Sequence, residues 1–184
     1  MLKYFNVKDN KVACWINPRD FGVHEKSLVF IHGSGSNSSV WSHQYAKLHK
    51  NYNVAAVNLP GHGKSPGSGE RDARDYAHRL KDILESLELA KPVLIGHSLG
   101  AATVLCFAAQ YPGDVSGVIS VGGGMTIPVN PAIREGLSKD PEGIRDLIAK
   151  LSIAKASRPK LLAPVRASLA GVRTEVLFND LTAC

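Results

Sequence analysis

No histidine follows residue 97 in this chain, although seven lie at or before it, at 24, 32, 43, 49, 62, 78 and 97. No apolar run approaches the roughly 20 residues that a membrane-spanning helix needs, so no membrane partner is implied. The amino-terminal Met1–Trp15 stretch has none of the apolar core of a secretory signal, and a cytoplasmic protein is the expectation. Cys14, Cys106 and Cys184 are odd in number and show neither CxxC nor CxxH spacing, which argues against a disulfide framework and against a zinc site. They read as packed or free thiols, with no metal and no cofactor implied.

Charge of one sign is not concentrated either. The net charge is +6, but residues 1–129 carry 13 basic and 10 acidic side chains and residues 130–184 carry 9 and 6, so no basic arm for nucleic acid stands out. The local exception is Lys150, Lys155, Arg158, Lys160, Arg166 and Arg173, a stretch without an acid. At helical spacing it reads as a solvated face. The alternative is a basic lip that favours an anionic substrate.

With 184 residues at 44% hydrophobic the chain can bury a sizeable core. Apolar, β-branched segments at Val12–Ile16, Leu28–Ile31, Val54–Val57, Val93–Ile95 and Val115–Val121 are bounded by Gly, Pro, Asn or Asp and predict strands. Between them, amphipathic stretches at Trp41–His49, Ala73–Leu87 and Leu99–Gln110 predict helices. This alternation specifies an α/β fold, a mostly parallel sheet with helices on both faces. From Pro131 onward the pattern is only helical, and Pro141, Pro159 and Pro164 are expected to cut it into short helices. Residues 1–125 are therefore expected to form the core and residues 126–184 a helical excursion from it.

The strongest chemical signal is Gly96-His97-Ser98-Leu99-Gly100, which joins a short buried-type strand directly to a helix. A serine on so tight a turn takes strained backbone angles, and glycines on either side leave room where a Cβ would collide. Its hydroxyl then stands above the sheet edge, at the positive end of the following helix. A second signal is His32-Gly33-Ser34-Gly35 at the end of another strand. Such a turn brings backbone N–H groups close to a ligand, and the N–H groups of Ser34 and Leu99 are the candidate donors to a developing oxyanion.

Two competing loops are excluded by what they lack. The turn from Gly33 has Ser38 where a dinucleotide loop needs its third glycine, and Asn58 rather than an acid closes the next strand. Gly63-Lys64-Ser65 imitates the end of a phosphate-binding loop, but Asn58 replaces the first glycine and Pro66 follows where a helix should begin.

Taken together, the HGSG loop, the NLPGHGKS turn and the GHSLG elbow, in that order, resemble the α/β-hydrolase family over residues 1–125, and more loosely beyond. The resemblance implies Ser98 as nucleophile, an oxyanion hole from Ser34 and Leu99, a helical cap over 126–184 and a small-molecule substrate bound between core and cap. The serine points away from relatives that use aspartate there. Esterases, lactonases and carbon–carbon bond hydrolases look alike at these motifs, and the apolar cap suggests an apolar acyl or ring portion of the substrate.

The family's order is nucleophile, acid, histidine. His32 and His62 sit in glycine turns, and His97 is expected to point away from Ser98 by strand alternation. Asp114 lies in a turn far from the nucleophile, and Asp180 is expected on a final helix over Thr174–Leu181. The acid, the base and the last strands of the sheet are thus expected in a C-terminal segment, present as a second chain. A non-catalytic binding protein of the same fold, or an inactive fragment, is the alternative, and self-association of copies is left open.

Overall fold

A computed structural model describes all 184 residues. Six strands, β1 (Leu2–Val7), β2 (Asn10–Ile16), β3 (Ser27–Ile31), β4 (Asn53–Val57), β5 (Val93–His97) and β6 (Gly117–Val121), form one sheet in the order β1-β2-β4-β3-β5-β6. β3, β4, β5 and β6 are parallel, while β2 runs antiparallel to both β4 and β1. β1 is absent from the sequence expectation. Its Lys3, Tyr4 and Asn6 face solvent or nearly so, which hides the apolar signal of a strand.

The central strands alternate faces, as the two-residue period of a strand requires. Val29, Ile31, Ala55, Val57 and Leu94 face α2 (Ala73–Ser86) and α3 (Leu99–Gln110), forming the main core with Tyr76, Leu80, Ile83 and Phe107. Phe30, Val54, Ala56 and Ile95 face the other side and meet Trp41, with Tyr45 and Leu48 of α1 (Ser42–Leu48) packed against them. α2 begins because the Asp72 carboxylate accepts the Arg74 N–H, a standard N-cap, and its stripe Tyr76, Ala77, Leu80, Ile83, Leu84 is buried. Full burial of a side chain such as Leu80 contributes about 1.5–3 kcal/mol. α3 is apolar nearly all round because it lies between the sheet and α2, with eight residues buried.

After β6 the chain is helical throughout: α4 (Pro131–Gly136), α5 (Pro141–Leu151), α6 (Arg158–Ala170) and α7 (Thr174–Ala183). They share a smaller cluster of Leu137, Ala149, Leu169, Val172, Val176 and Leu177. Buried Arg145 ties α5 to the last turn, donating to the Val172 carbonyl and the Thr174 hydroxyl, each at 2.9 Å. Pro141 and Pro159 lie in first turns, where no N–H is needed, but Pro164 does not cut α6 as expected. It sits on the exposed face, as does Lys160 one turn before it, whose carbonyl the proline ring cannot serve.

Four of the six cations in the basic stretch have partners within the fold, although only Asp146 and Glu175 bring opposing charge to it. Lys150 and Arg166 both pair with Asp146, Arg158 donates to the Lys150 carbonyl, and Arg173 binds the Gly67 carbonyl. The three cysteines are free, and burial pushes the Cys14 thiol up to about 12. No helix is long and apolar enough to cross a membrane. The sheet ends at β6, whose Ile119 and Val121 are 50% and 41% exposed.

Candidate active site

β5 passes into α3 through Ser98 at φ 53°, ψ −119°, a conformation that costs a non-glycine residue about 1–3 kcal/mol. The flanking glycines make it attainable. A Cβ on Gly96 would lie 2.0 Å from the Gly100 carbonyl oxygen, and one on Gly100 would lie 2.5 Å from the Ile31 carbonyl oxygen. The Ser98 N–H donates to the Val121 carbonyl at 3.0 Å, and its own carbonyl accepts from Ala101 and Ala102. The turn is thereby held from β6 on one side and from α3 on the other. Leu99, as the first residue of α3, has an N–H with no carbonyl one turn back to receive it.

The His32–Gly35 loop abuts this turn. A Cβ on Gly33 would lie 3.0 Å from both the Ser98 Cβ and the His97 carbonyl oxygen. The Gly33 carbonyl accepts from His32 Nδ1 at 2.9 Å and from the Ser36 N–H at 3.3 Å, whereas the Ser34 N–H donates to no group in the chain. A planar trans peptide sets its N–H opposite its C=O, so holding the Gly33 carbonyl directs the Ser34 N–H the other way. The Ser34 hydroxyl faces the Cys184 thiol at 3.6 Å.

The two buried histidines near this site, His32 and His62, are occupied. His32 is fully buried, accepts the Leu59 N–H at Nε2 and donates from Nδ1 to the Gly33 carbonyl. Burial, then the neighbouring His62, holds its imidazole well below the ordinary value, so it stays neutral. His62, also fully buried, has Nδ1 3.0 Å from the Pro60 carbonyl and Nε2 2.8 Å from an Asp180 carboxylate oxygen. His97 is exposed at the end of β5, beside Gly33 and Gly122. His43 and His49 lie on or next to α1, and His78 lies on α2. His24 pairs with Asp20 before β3.

Asp180 lies on α7, the expected helix, but its surroundings are not evident from sequence. It is fully buried, with Oδ2 accepting the Gly35 N–H at 2.9 Å and Oδ1 accepting the Tyr76 hydroxyl at 2.6 Å. Burial and then this carboxylate push the Tyr76 phenol far above its ordinary value, so it remains a donor. One signal was available. Val176, Leu177, Asp180 and Ala183 form the buried stripe of α7, and an acid on such a stripe needs partners from elsewhere.

The imitation phosphate loop is structural. The Ser65 hydroxyl donates to the Asn58 carbonyl at 2.8 Å and accepts the Ala13 N–H at 2.9 Å, and no helix follows it until Ala73. No three His, Cys, Asp or Glu side chains converge in a way that could hold a metal ion.

A family model described as alpha/beta hydrolase fold matches residues 26–158. An uncharacterized protein of Mycobacterium tuberculosis is 36% identical over 110 residues, covering 59% of this chain and 32% of that protein. The 2-hydroxy-6-oxononadienedioate/2-hydroxy-6-oxononatrienedioate hydrolase of Paraburkholderia phymatum is 33% identical over 129 residues, 66% of this chain and 44% of that enzyme. The chain thus spans between about a third and under half of these curated relatives. Among solved structures, a thermophilic esterase superposes with a TM-score of 0.81 at 29% identity, covering 100% of this chain and 68% of the other. The enol-lactonase of Burkholderia xenovorans gives 0.84 at 19% identity, covering 98% and 72%, a likeness of fold alone.

Proposed function

Because this chain belongs to the α/β-hydrolase family, we propose that it carries the nucleophile of a serine hydrolase acting on an ester, a lactone or an activated carbon–carbon bond. The observation that carries this reading is the strained Ser98 turn with the uncommitted Ser34 N–H in the loop against it. Ser98 Oγ attacks the substrate carbonyl carbon and gives its proton to a base. The resulting oxyanion accepts from the Ser34 and Leu99 N–H groups, and one such donor contributes about 3 kcal/mol of barrier lowering. Collapse expels an alcohol or a carbon leaving group that takes up the proton. Water then hydrolyses the acyl-enzyme and frees Ser98.

The base and its acid are assigned to a segment beyond residue 184 that adds strands at the open edge of β6. Two observations support this: both ring nitrogens of His32 and His62 are engaged, and β6 is an edge strand with exposed apolar side chains. Residues 126–184 are the lid over the site. Contact between the lid and the loop supports this, since a Cβ on Gly35 would lie 2.6 Å from Leu169 and 3.1 Å from Leu177. A carboxylate on the substrate is suggested by the names of relatives, which include a 2-(acetamidomethylene)succinate hydrolase of Mesorhizobium japonicum, 35% identical over 96 residues. Of the Lys150–Arg173 stretch, Lys150 and Arg166 are paired with Asp146, and the remaining cations are compatible with such a carboxylate.

A fluorophosphonate probe tests the nucleophile, with intact-mass analysis and p-nitrophenyl ester turnover. Capture at Ser98, lost in Ser98→Ala, is expected. Residues 1–184 by themselves should turn over several orders of magnitude more slowly than protein completed with its carboxyl-terminal strands, because the oxyanion hole acts without a base. Full turnover with Ser98 removed would sink the proposal, and no capture in completed protein would favour a binding role.

A further inference from the structure

Every partner of the buried Asp180 carboxylate comes from a distant part of the chain. Gly35 belongs to the loop after β3, His62 to the loop after β4 and Tyr76 to α2, separated from Asp180 by 145, 118 and 104 residues. Three elements of the core therefore converge on one side chain of the last helix. A charge buried this deeply persists only when hydrogen-bonded on both oxygens, as it is here.

The Gly35 contact bears on the site directly. Ser34 stands between two peptide groups, and both are held. The Gly33–Ser34 peptide is anchored through its carbonyl by His32 and the Ser36 N–H, and the Ser34–Gly35 peptide through its N–H by Asp180. With both planes set, the Ser34 backbone dihedrals have little freedom, and its N–H keeps one direction. Gly35 itself is at φ 63°, a left-handed conformation the loop does not need other residues to share. Without Asp180, the Ser34–Gly35 peptide has only solvent to satisfy its N–H and is free to rotate.

We infer that Asp180 is the positioning residue of the oxyanion hole: by holding the Gly35 N–H it orients the Ser34 peptide, and it makes a competent hole conditional on docking of α7. This rests on the reading of Ser34 as an oxyanion donor. Docking of the lid and assembly of the catalytic centre become one event, because the hydrogen bond that completes the loop is supplied by the lid.

The test compares Asp180→Ala with Asp180→Asn and with Leu84→Ala, a core truncation that destabilises α2 without touching the loop. In completed protein, Asp180→Ala should lower kcat and the rate of Ser98 phosphonylation by about 100-fold with KM changed by less than about threefold, the effect of misplacing one donor. Asp180→Asn keeps a carbonyl acceptor for Gly35 and should recover most of that loss. Leu84→Ala should lower the unfolding midpoint and leave kcat near wild type. Wild-type labelling with Asp180→Ala equally reactive overturns the inference alone. No labelling of the wild type overturns the serine-hydrolase reading and the inference with it. Should Asp180→Ala not fold, the Gly35 amide proton resonance decides: a charged acceptor holds it downfield, and Asp180→Asn should move it upfield. An unmoved resonance overturns the inference.

Discussion

The Cβ that Gly96 lacks would stand 2.0 Å from the carbonyl oxygen of Gly100, a backbone atom that cannot swing aside. Gly96→Ala is therefore expected to cost at least about 3 kcal/mol, at the upper end of overpacking penalties. Gly113→Ala, where nothing lies within 4 Å, should stay within about 0.5 kcal/mol of wild type. Urea midpoints of the two variants check the contrast, and equal midpoints would contradict the elbow geometry.

Strain at Ser98 predicts a trade of stability against reactivity. Ser98→Gly relieves the positive φ and should raise stability by about 1 kcal/mol, while Ser98→Ala keeps the strain and should not. Both should abolish fluorophosphonate capture. Denaturation of the two side by side, with the alanine variant as stable as the glycine one, would show that the conformation carries no strain.

His32 sets a pH dependence. Its folded imidazole is held well below the ordinary value, chiefly by burial, so only the unfolded chain takes up a proton there as the pH falls below about 6.5. Its contribution to stability is full above that pH and is lost below it, with a slope approaching about 1.4 kcal/mol per pH unit. Unfolding of wild type and His32→Gln between about pH 7.5 and 5 isolates it, because the variant should lack this increment of slope whatever its absolute stability. Parallel curves would refute the assignment.

The open edge at β6 predicts self-association of residues 1–184. Ile119 and Val121 are half-exposed beside unpaired backbone groups, an arrangement that templates pairing with another strand. Light scattering should show concentration-dependent association that Ile119→Lys reduces. An unchanged scattering profile would place the association elsewhere or show that there is none.

How far the fold is legible in sequence depends on where each element's partners lie. Val54–Val57 reads as a buried strand because an unbroken apolar run has few other uses, and it is buried at every position. Leu2–Val7 is illegible because four of its six residues are exposed and its pairing is set by β2. Pro164 reads as a helix breaker because the rule concerns backbone alone, yet α6 continues through it at an exposed position. The acid-free stretch Lys150–Arg173 reads as a basic face until Asp146, one turn before Lys150 on α5, pairs with Lys150 and with Arg166 of α6.

The candidate site divides along the same line. The sequence by itself determined the Ser98 turn, since the steric demands of Gly96, Ser98 and Gly100 act between residues at most a few positions apart, and any chain with that spacing between strand and helix meets them. Only the tertiary structure decided which polar groups near the turn are spent and which stay free. His32 and His62 lost both ring nitrogens to other groups, Ser34 kept its N–H, and Asp180 joined the loop from a helix 145 residues away. Steric exclusion is local and is written in neighbouring residues. Satisfaction of a buried polar group depends on whatever the folded chain brings to it, which no single segment specifies.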